Sequence, residues 1–277
     1  MTPPIAETLL EAFERDGESV ELAWAAATLA NPVYPDLDYQ HYSHRLDVYA
    51  ENARKLAAGA DEPEARISAI NRLLFEDLGF SGNAVDYYDP RNSFLNEVLE
   101  RRTGIPISLS VVYMEIANRL ELPIYGVGLP GHFVVKYEKG RRRFFIDPFH
   151  HGRMLNRQGC RRLVRQIHGH EVELNDLHFA AIDKRHIILR MAANLRDVYL
   201  STRQYRTGIL FQEVIMRLGE DEAEDLRVRA WILSELGRRA EAIEDLEQYL
   251  ELRPDSEDAE ETREMLLQLK RGQALLN

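Results

Sequence analysis

One cysteine, Cys160, stands in 277 residues, so no disulfide framework holds this fold and a cytoplasmic location is the expectation. Long apolar runs are also missing. No stretch approaches the ~20 residues of a membrane span, so no membrane contact is expected. The opening Met1-Thr2-Pro3-Pro4 lacks a basic region followed by an apolar one, and no secretory signal is read there. Positive charge is in deficit: 35 Lys and Arg face 46 Asp and Glu, a net charge of −11, which speaks against nucleic acid as a partner. No Gly/Ser-rich or Pro-rich spacer separates Phe149 from Lys184, which argues against a loose tether between domains. Metal-ligand spacing is absent as well. His150, His151, His168 and His170 are irregularly placed, without an accompanying cysteine or carboxylate pattern. They are read as surface histidines, with no metal and no cofactor expected.

What is present is a globular composition, 45% apolar and 29% charged, long enough for two domains or one core with an extension. Helical periodicity fills the first 80 residues: Ile5 to Leu29, broken at Asp16-Gly17, then Tyr39 to Ala58 with Leu46, Val48, Tyr49 and Leu56 inward, then Glu62 to Leu78. Asp89 before Pro90 is a plausible helix cap, with Asn92 or Ser93 as alternatives.

The stretch Arg102-Thr103-Gly104-Ile105-Pro106-Ile107-Ser108-Leu109-Ser110 organises the centre. Gly104 suits the end of one helix and Pro106 the first turn of the next. Ser108 then falls beside the unpaired N–H groups of a helix start, where a nucleophile is activated or an oxyanion bound. Ser110, two residues on, is turned by about 200° and faces elsewhere. A hydroxyl bonded back to a carbonyl one turn earlier fits Ser110 better than Ser108. Downstream, Gly131-His132-Phe133 sets a histidine at a strand start, and Phe145-Ile146-Asp147-Pro148 sets an aspartate at a strand end. Glu138 to Arg141 signals a hairpin between them. One helix followed by strands in hairpin order indicates α+β. Asn96 is open to two readings, an amide donor to an oxyanion or an exposed helical asparagine. The arginines at 141–143, 157, 161, 162 and 165 form either a basic surface or solvated faces.

From Lys184 onward the pattern is helical only. Glu222 to Asp255 fits the tetratricopeptide period, with Ala230, Leu233, Gly237, Ala242, Leu246, Tyr249 and Pro254 in place. A weaker copy precedes it at Tyr199, Tyr205, Gly208 and Ile215, and 258–276 reads as a capping helix. Such repeats bind partners and need neighbours to bury their faces.

Gly79-Phe80-Ser81-Gly82-Asn83, Asp86-Tyr87-Tyr88-Asp89-Pro90, Asn92 to Leu99, Arg102 to Ser110, Gly126 to His132 and Ile146 to Phe149 together resemble the transglutaminase-like superfamily. More closely, they are similar to the bacterial SirB family, in which such a domain precedes tetratricopeptide repeats. The likeness runs from about residue 30 to 265. It implies an α+β fold: a helical N-terminal region (1–80), a papain-like core of helix plus antiparallel sheet (81–183) and helical repeats (184–277). It also implies a site in which a cysteine attacks an amide, a histidine takes its proton and an aspartate orients the histidine. His132 and Asp147 match the last two. Ser108 stands at the cysteine's position, and Cys160 lies beyond the aspartate.

Two functions follow as expectations. The first is a regulatory or protein-interaction protein with a degenerate thiol site, which takes a protein or peptide partner through cleft and repeats. The second is a hydrolase or acyltransferase working through Ser108, His132 and Asp147, since Ser-His-Asp chemistry occurs on several unrelated folds.

Overall fold

The computed structural model describes residues 5–59 and 62–274. The expectation about Met1 to Pro4 and the last two residues of the capping helix (275–276) lie outside that range. In chain order the helices and strands are α1 (Ile5–Asp16), α2 (Leu22–Thr28), α3 (Tyr39–Leu56), α4 (Pro63–Asn71, continued by a π-helical turn Arg72–Asp77), β1 (Ser81–Gly82), α5 (Leu95–Arg101), β2 (Thr103–Gly104) and α6 (Pro106–Arg119). There follow β3 (Ile124–Leu129), β4 (His132–Lys139), β5 (Arg142–Asp147), β6 (Arg153–Leu155) and α7 (Arg157–His168). The chain continues in α8 (Lys184–Ser201), α9 (Tyr205–Leu218), α10 (Glu222–Glu235), α11 (Arg239–Leu252) and α12 (Ala259–Ala274). Two compact units result. Asp16–Met191 is one; the other joins the N-terminal segment through Arg15 to the chain from Ala192 onward.

The larger unit is built around α6. From Pro106 to Ala117 every residue of this helix is buried, which is why its sequence is apolar almost all round. α2, α3, α4 and α5 pack along it, as do β3 and β4. Its one buried carboxylate, Glu115, accepts from the Ala23 N–H (3.1 Å) and pairs with Arg119 (2.5 Å). Arg119 in turn reaches Glu21 (2.9 Å) and Asp47 (2.7 Å), so one guanidinium ties together α6, the start of α2 and α3.

β3 to β6 form an antiparallel meander in sequence order. The first two hairpins close on two-residue turns, with Leu129 opposite His132 and Lys139 opposite Arg142. Gly131 and Gly140 take φ of +68° and +62° in these turns, the left-handed conformation that favours glycine. Val127, Leu129, Val134, Phe145 and Leu155 pack with Cys160, Leu163 and Val164 of α7. By the alternation of side chains along a strand, His132 shares a face with Val134, and Asp147 shares it with Phe145.

The smaller unit contains antiparallel helix pairs of tetratricopeptide type. Ile209, Ala230, Ile232, Leu233, Ala242 and Leu246 form its buried centre, with Met265, Leu266 and Leu269 of α12 against it. Gly237 makes the α10–α11 turn at φ +73°.

Four details differ from the sequence reading. Val48 and Leu56 are 42% and 39% exposed, because α3 is covered mainly along the line of Leu46, Tyr49, Ala50 and Ala53. Arg102, not Gly104, takes the left-handed position (φ +55°) that ends α5. His150 to Arg153, which reads as a loop in the sequence, runs into a strand at 153–155. Asn96 is buried, at 5% exposure, rather than exposed.

Candidate functional site

Asp147 closes β5 and caps the 3₁₀ turn Pro148–His150 that follows. Its carboxylate is 1% exposed. One oxygen lies 3.0 Å from His132 Nε2 and the other 2.6 Å from His150 Nδ1. Burial alone would raise the Asp147 pKa, but the two imidazoles outweigh it and pull it down to about 2. The same contact pushes the His150 pKa upward, because the Asp147 carboxylate holds the protonated ring. His132 is 6% exposed, its ring edge-on to Phe149 at 5.9 Å. Phe149 fits because position 82 is glycine: a Cβ there would lie 2.5 Å from the Phe149 ring. The Gly-rich turn at 79–83 thus seats the aromatic ring that flanks the histidine.

Ser108 occupies the third residue of α6 and is fully buried. Its hydroxyl lies 2.5 Å from the Asn92 carbonyl and 3.1 Å from the Ile105 carbonyl, and it accepts from the Ile105 N–H at 3.1 Å. With one proton to give, it donates to the nearer carbonyl, Asn92. The serine therefore ties the helix start to the preceding loop. Among the described residues, no hydrogen bond joins Ser108 to His132 or Asp147. Gly104 makes the arrangement possible, since a Cβ there would stand 2.7 Å from Ser108 Oγ.

The partner carbonyl is itself held by a network. The Asn92 side-chain amide donates to the Asp86 and Tyr87 carbonyls (2.7 and 3.3 Å) and accepts from Asn83 and Arg101 (3.2 and 3.4 Å). Asp89 caps the Pro90–Asn92 turn and pairs with Arg91 (2.7 Å) and Arg101 (3.5 Å). The segment from Asn83 to Ser93 is scaffolding for that carbonyl. The sequence marks Asn92 only as an alternative cap, and its side-chain role has no periodic signature.

The two central serines depart from the roles expected of them. Ser108 gives its proton to the Asn92 carbonyl, whereas the Ser110 hydroxyl makes no bond back to a carbonyl one turn earlier and is buried without a partner. The Asn96 amide oxygen is likewise buried and unpartnered. Asn96 lines a cavity of about 440 Å³ with Tyr34, Leu37, His41 and Tyr42. Cys160 is buried in α7, where burial and the Asp147 charge push its thiol up to about 12, far from a nucleophile's range.

Of the three residues singled out in the sequence, His132 and Asp147 are brought into contact. His150, read as a surface residue, sits on the same carboxylate. The signal for it was its spacing: a short turn three residues past a strand-end Asp-Pro returns the side chain to the capping aspartate. His168 and His170 are exposed and lie together, ring centres 5.9 Å apart.

Residues 40–193 match the family profile of the transglutaminase-like superfamily. Residues 195–267 match a tetratricopeptide repeat profile. The chain is 38% identical over 258 residues to a UPF0162 protein of Xylella fastidiosa (strain 9a5c), with 92% of each chain covered. It is 26% identical over 253 residues to a UPF0162 protein of Vibrio cholerae, covering 91% of this chain and 93% of that one. F-box only protein 21 of Mus musculus shares 32% identity over 137 residues, which are 47% of this chain and 21% of that protein. No solved structure matches the chain.

Proposed function

From the premise that this chain belongs to the transglutaminase-like superfamily and to the UPF0162 proteins within it, we propose that it is a regulatory protein-interaction protein whose thiol site is degenerate. The closer likeness to the SirB family is part of the same proposal. The observation that carries it is the state of Ser108. A serine nucleophile needs a base in hydrogen-bond contact and a free hydroxyl. Here the hydroxyl is fully buried and given to the Asn92 carbonyl at 2.5 Å. The histidine and aspartate keep their pairing at 3.0 Å. Pairing without a nucleophile supports recognition more than turnover. A protein or peptide partner is taken by the repeats and the transglutaminase-like domain.

The alternative is a hydrolase or acyltransferase using Ser108, His132 and Asp147. The buried His132–Asp147 pair favours it, and it requires Ser108 to leave the Asn92 carbonyl and reach His132. Labelling of the full chain with a fluorophosphonate probe separates the two. No adduct at Ser108 is the expected result. A stoichiometric adduct that disappears in Ser108→Ala would establish the alternative instead.

A further inference from the structure

Beside the dyad that the superfamily leads one to expect stands a third group, His150, and we propose that His132, Asp147 and His150 form a binding site for one divalent transition-metal ion of the zinc class.

One ligand atom from each of the three side chains lies within 4.8 Å of the others. Zinc bound at ~2.0–2.2 Å by nitrogen and oxygen sets tetrahedral ligand atoms about 3.3 Å apart. His132 Nε2 lies 3.0 Å from one Asp147 oxygen and His150 Nδ1 lies 2.6 Å from the other, so the two rings bracket the carboxylate, and the ion would enter where these hydrogen bonds stand, with the imidazoles moving outward to admit it. The donor set is two imidazoles and a carboxylate, which suits zinc, cobalt and nickel and lacks the oxygen-rich shell of calcium or magnesium. The nitrogens that would bind the ion are the ones that now face the Asp147 carboxylate, so the ion takes the place of the protons held there and each ring keeps its remaining proton on the other nitrogen.

The surroundings differ in a useful way. Asp147 and His132 are buried, so two ligands are fixed in place by the fold and already stripped of water. His150 has a side chain 47% exposed and completes the site from the solvent side. Its exposure gives an entering ion a path from solvent. Asp147 also accepts from the His150 backbone N–H at 3.4 Å, which fixes the turn that presents the third ligand.

The test uses the untagged full chain, stripped with a chelator and titrated with Co²⁺ and Zn²⁺. One Co²⁺ per chain is expected, with visible d–d absorption and displacement by an equivalent of Zn²⁺. His150→Ala, at a half-exposed side chain and with circular dichroism to report that it folds, is expected to weaken binding by at least about tenfold, the lower end of what even outer-shell changes cost. His170→Ala, an exposed histidine outside the group, is expected to bind as the unsubstituted chain does. Asp147→Asn should also weaken binding, with circular dichroism reporting whether it still folds. No binding, or equal affinity in the His150→Ala and unsubstituted chains, overturns the site. Metal stoichiometry does not depend on whether Ser108 labels with fluorophosphonate, so this inference and the proposed function fail separately.

Discussion

At Gly104 a missing side chain decides what Ser108 does. A methyl group there would meet Ser108 Oγ at 2.7 Å and Leu109 and Val98 at 3.2 Å. Gly104→Ala is therefore expected to cost about 1–3 kcal/mol, the usual range for overpacking, read from urea unfolding. Ser108→Ala alone loses a hydrogen bond worth about 0.5–1.5 kcal/mol. Because it also clears the space the new methyl needs, the double variant should be more stable than the sum of the two predicts, with coupling of at least about 0.5 kcal/mol. Strict additivity would show that the close approach is not what Gly104 provides. Asp89 gives a pH test nearby. Burial raises its pKa, but the hydrogen bonds and charge of Arg91, with Arg101 behind, lower it below the ordinary carboxylate value. A carboxylate depressed in the folded state adds stability above its unfolded pKa, and that stability drains away as pH falls through the folded one. The stability lost on acidification below about pH 4 should therefore be smaller in Asp89→Asn than in the unsubstituted chain, and an identical acid limb in both would remove Asp89 from the account. The reactive role read for Ser108 rested on its place at a helix start, which is real. What the sequence hid was the Asn92 carbonyl sixteen residues earlier, since a tertiary contact of one loop with one hydroxyl leaves no period to detect.

Among the elements, α6 was the most legible, and its one charged buried residue is its least replaceable. Glu115 is 3% exposed; burial raises its pKa against the pull of Arg119. Removing one member of a buried pair strands the other's charge, so Glu115→Ala is expected to cost about 3–5 kcal/mol. Arg119 keeps Glu21 and Asp47, which places the expectation at the lower end. A loss under about 1 kcal/mol in thermal or urea unfolding would show that those exposed acids compensate fully. Order and type of the main elements were legible because apolar period and turn chemistry agree along α6, β3, β4 and β5. The third strand pair was not, since β6 has only three residues and is specified by its pairing with β5 rather than by a pattern of its own. His132 and Asp147 were readable from the ends of their strands. His150 escaped because its role comes from the turn after β5, where its side chain folds back on the cap.

On the scale of the whole molecule the sequence separates two kinds of construction. In the transglutaminase-like domain, a single helix buried from Pro106 to Ala117 is the centre, and every neighbour touches it. In the repeats no helix is central, and each pair covers the next. The acidic excess between Glu220 and Glu261 is partly consumed locally: Arg229 holds Asp245 at 2.6 Å, Arg227 holds Glu224 and Asp258, and Lys270 holds Glu247. This charge is thus built into the repeat faces and is not a free tail. The end of the array is where such a construction is vulnerable. Met265, Leu266 and Leu269 of α12 cover the cluster around Ala242 and Leu246, and the Tyr249 hydroxyl is held by Asp258 (2.5 Å) and Ser256 (2.9 Å) just before that helix. A chain ending at Pro254 loses both. Its exposed apolar face is expected to bind a hydrophobic dye and to promote self-association. Far-UV circular dichroism should lose more helix than the 16 residues of α12 account for, because α10 and α11 no longer have a cap. Loss confined to the deleted helix, with no gain in dye binding, would mean that α10 and α11 close their own core and that α12 is an appendage.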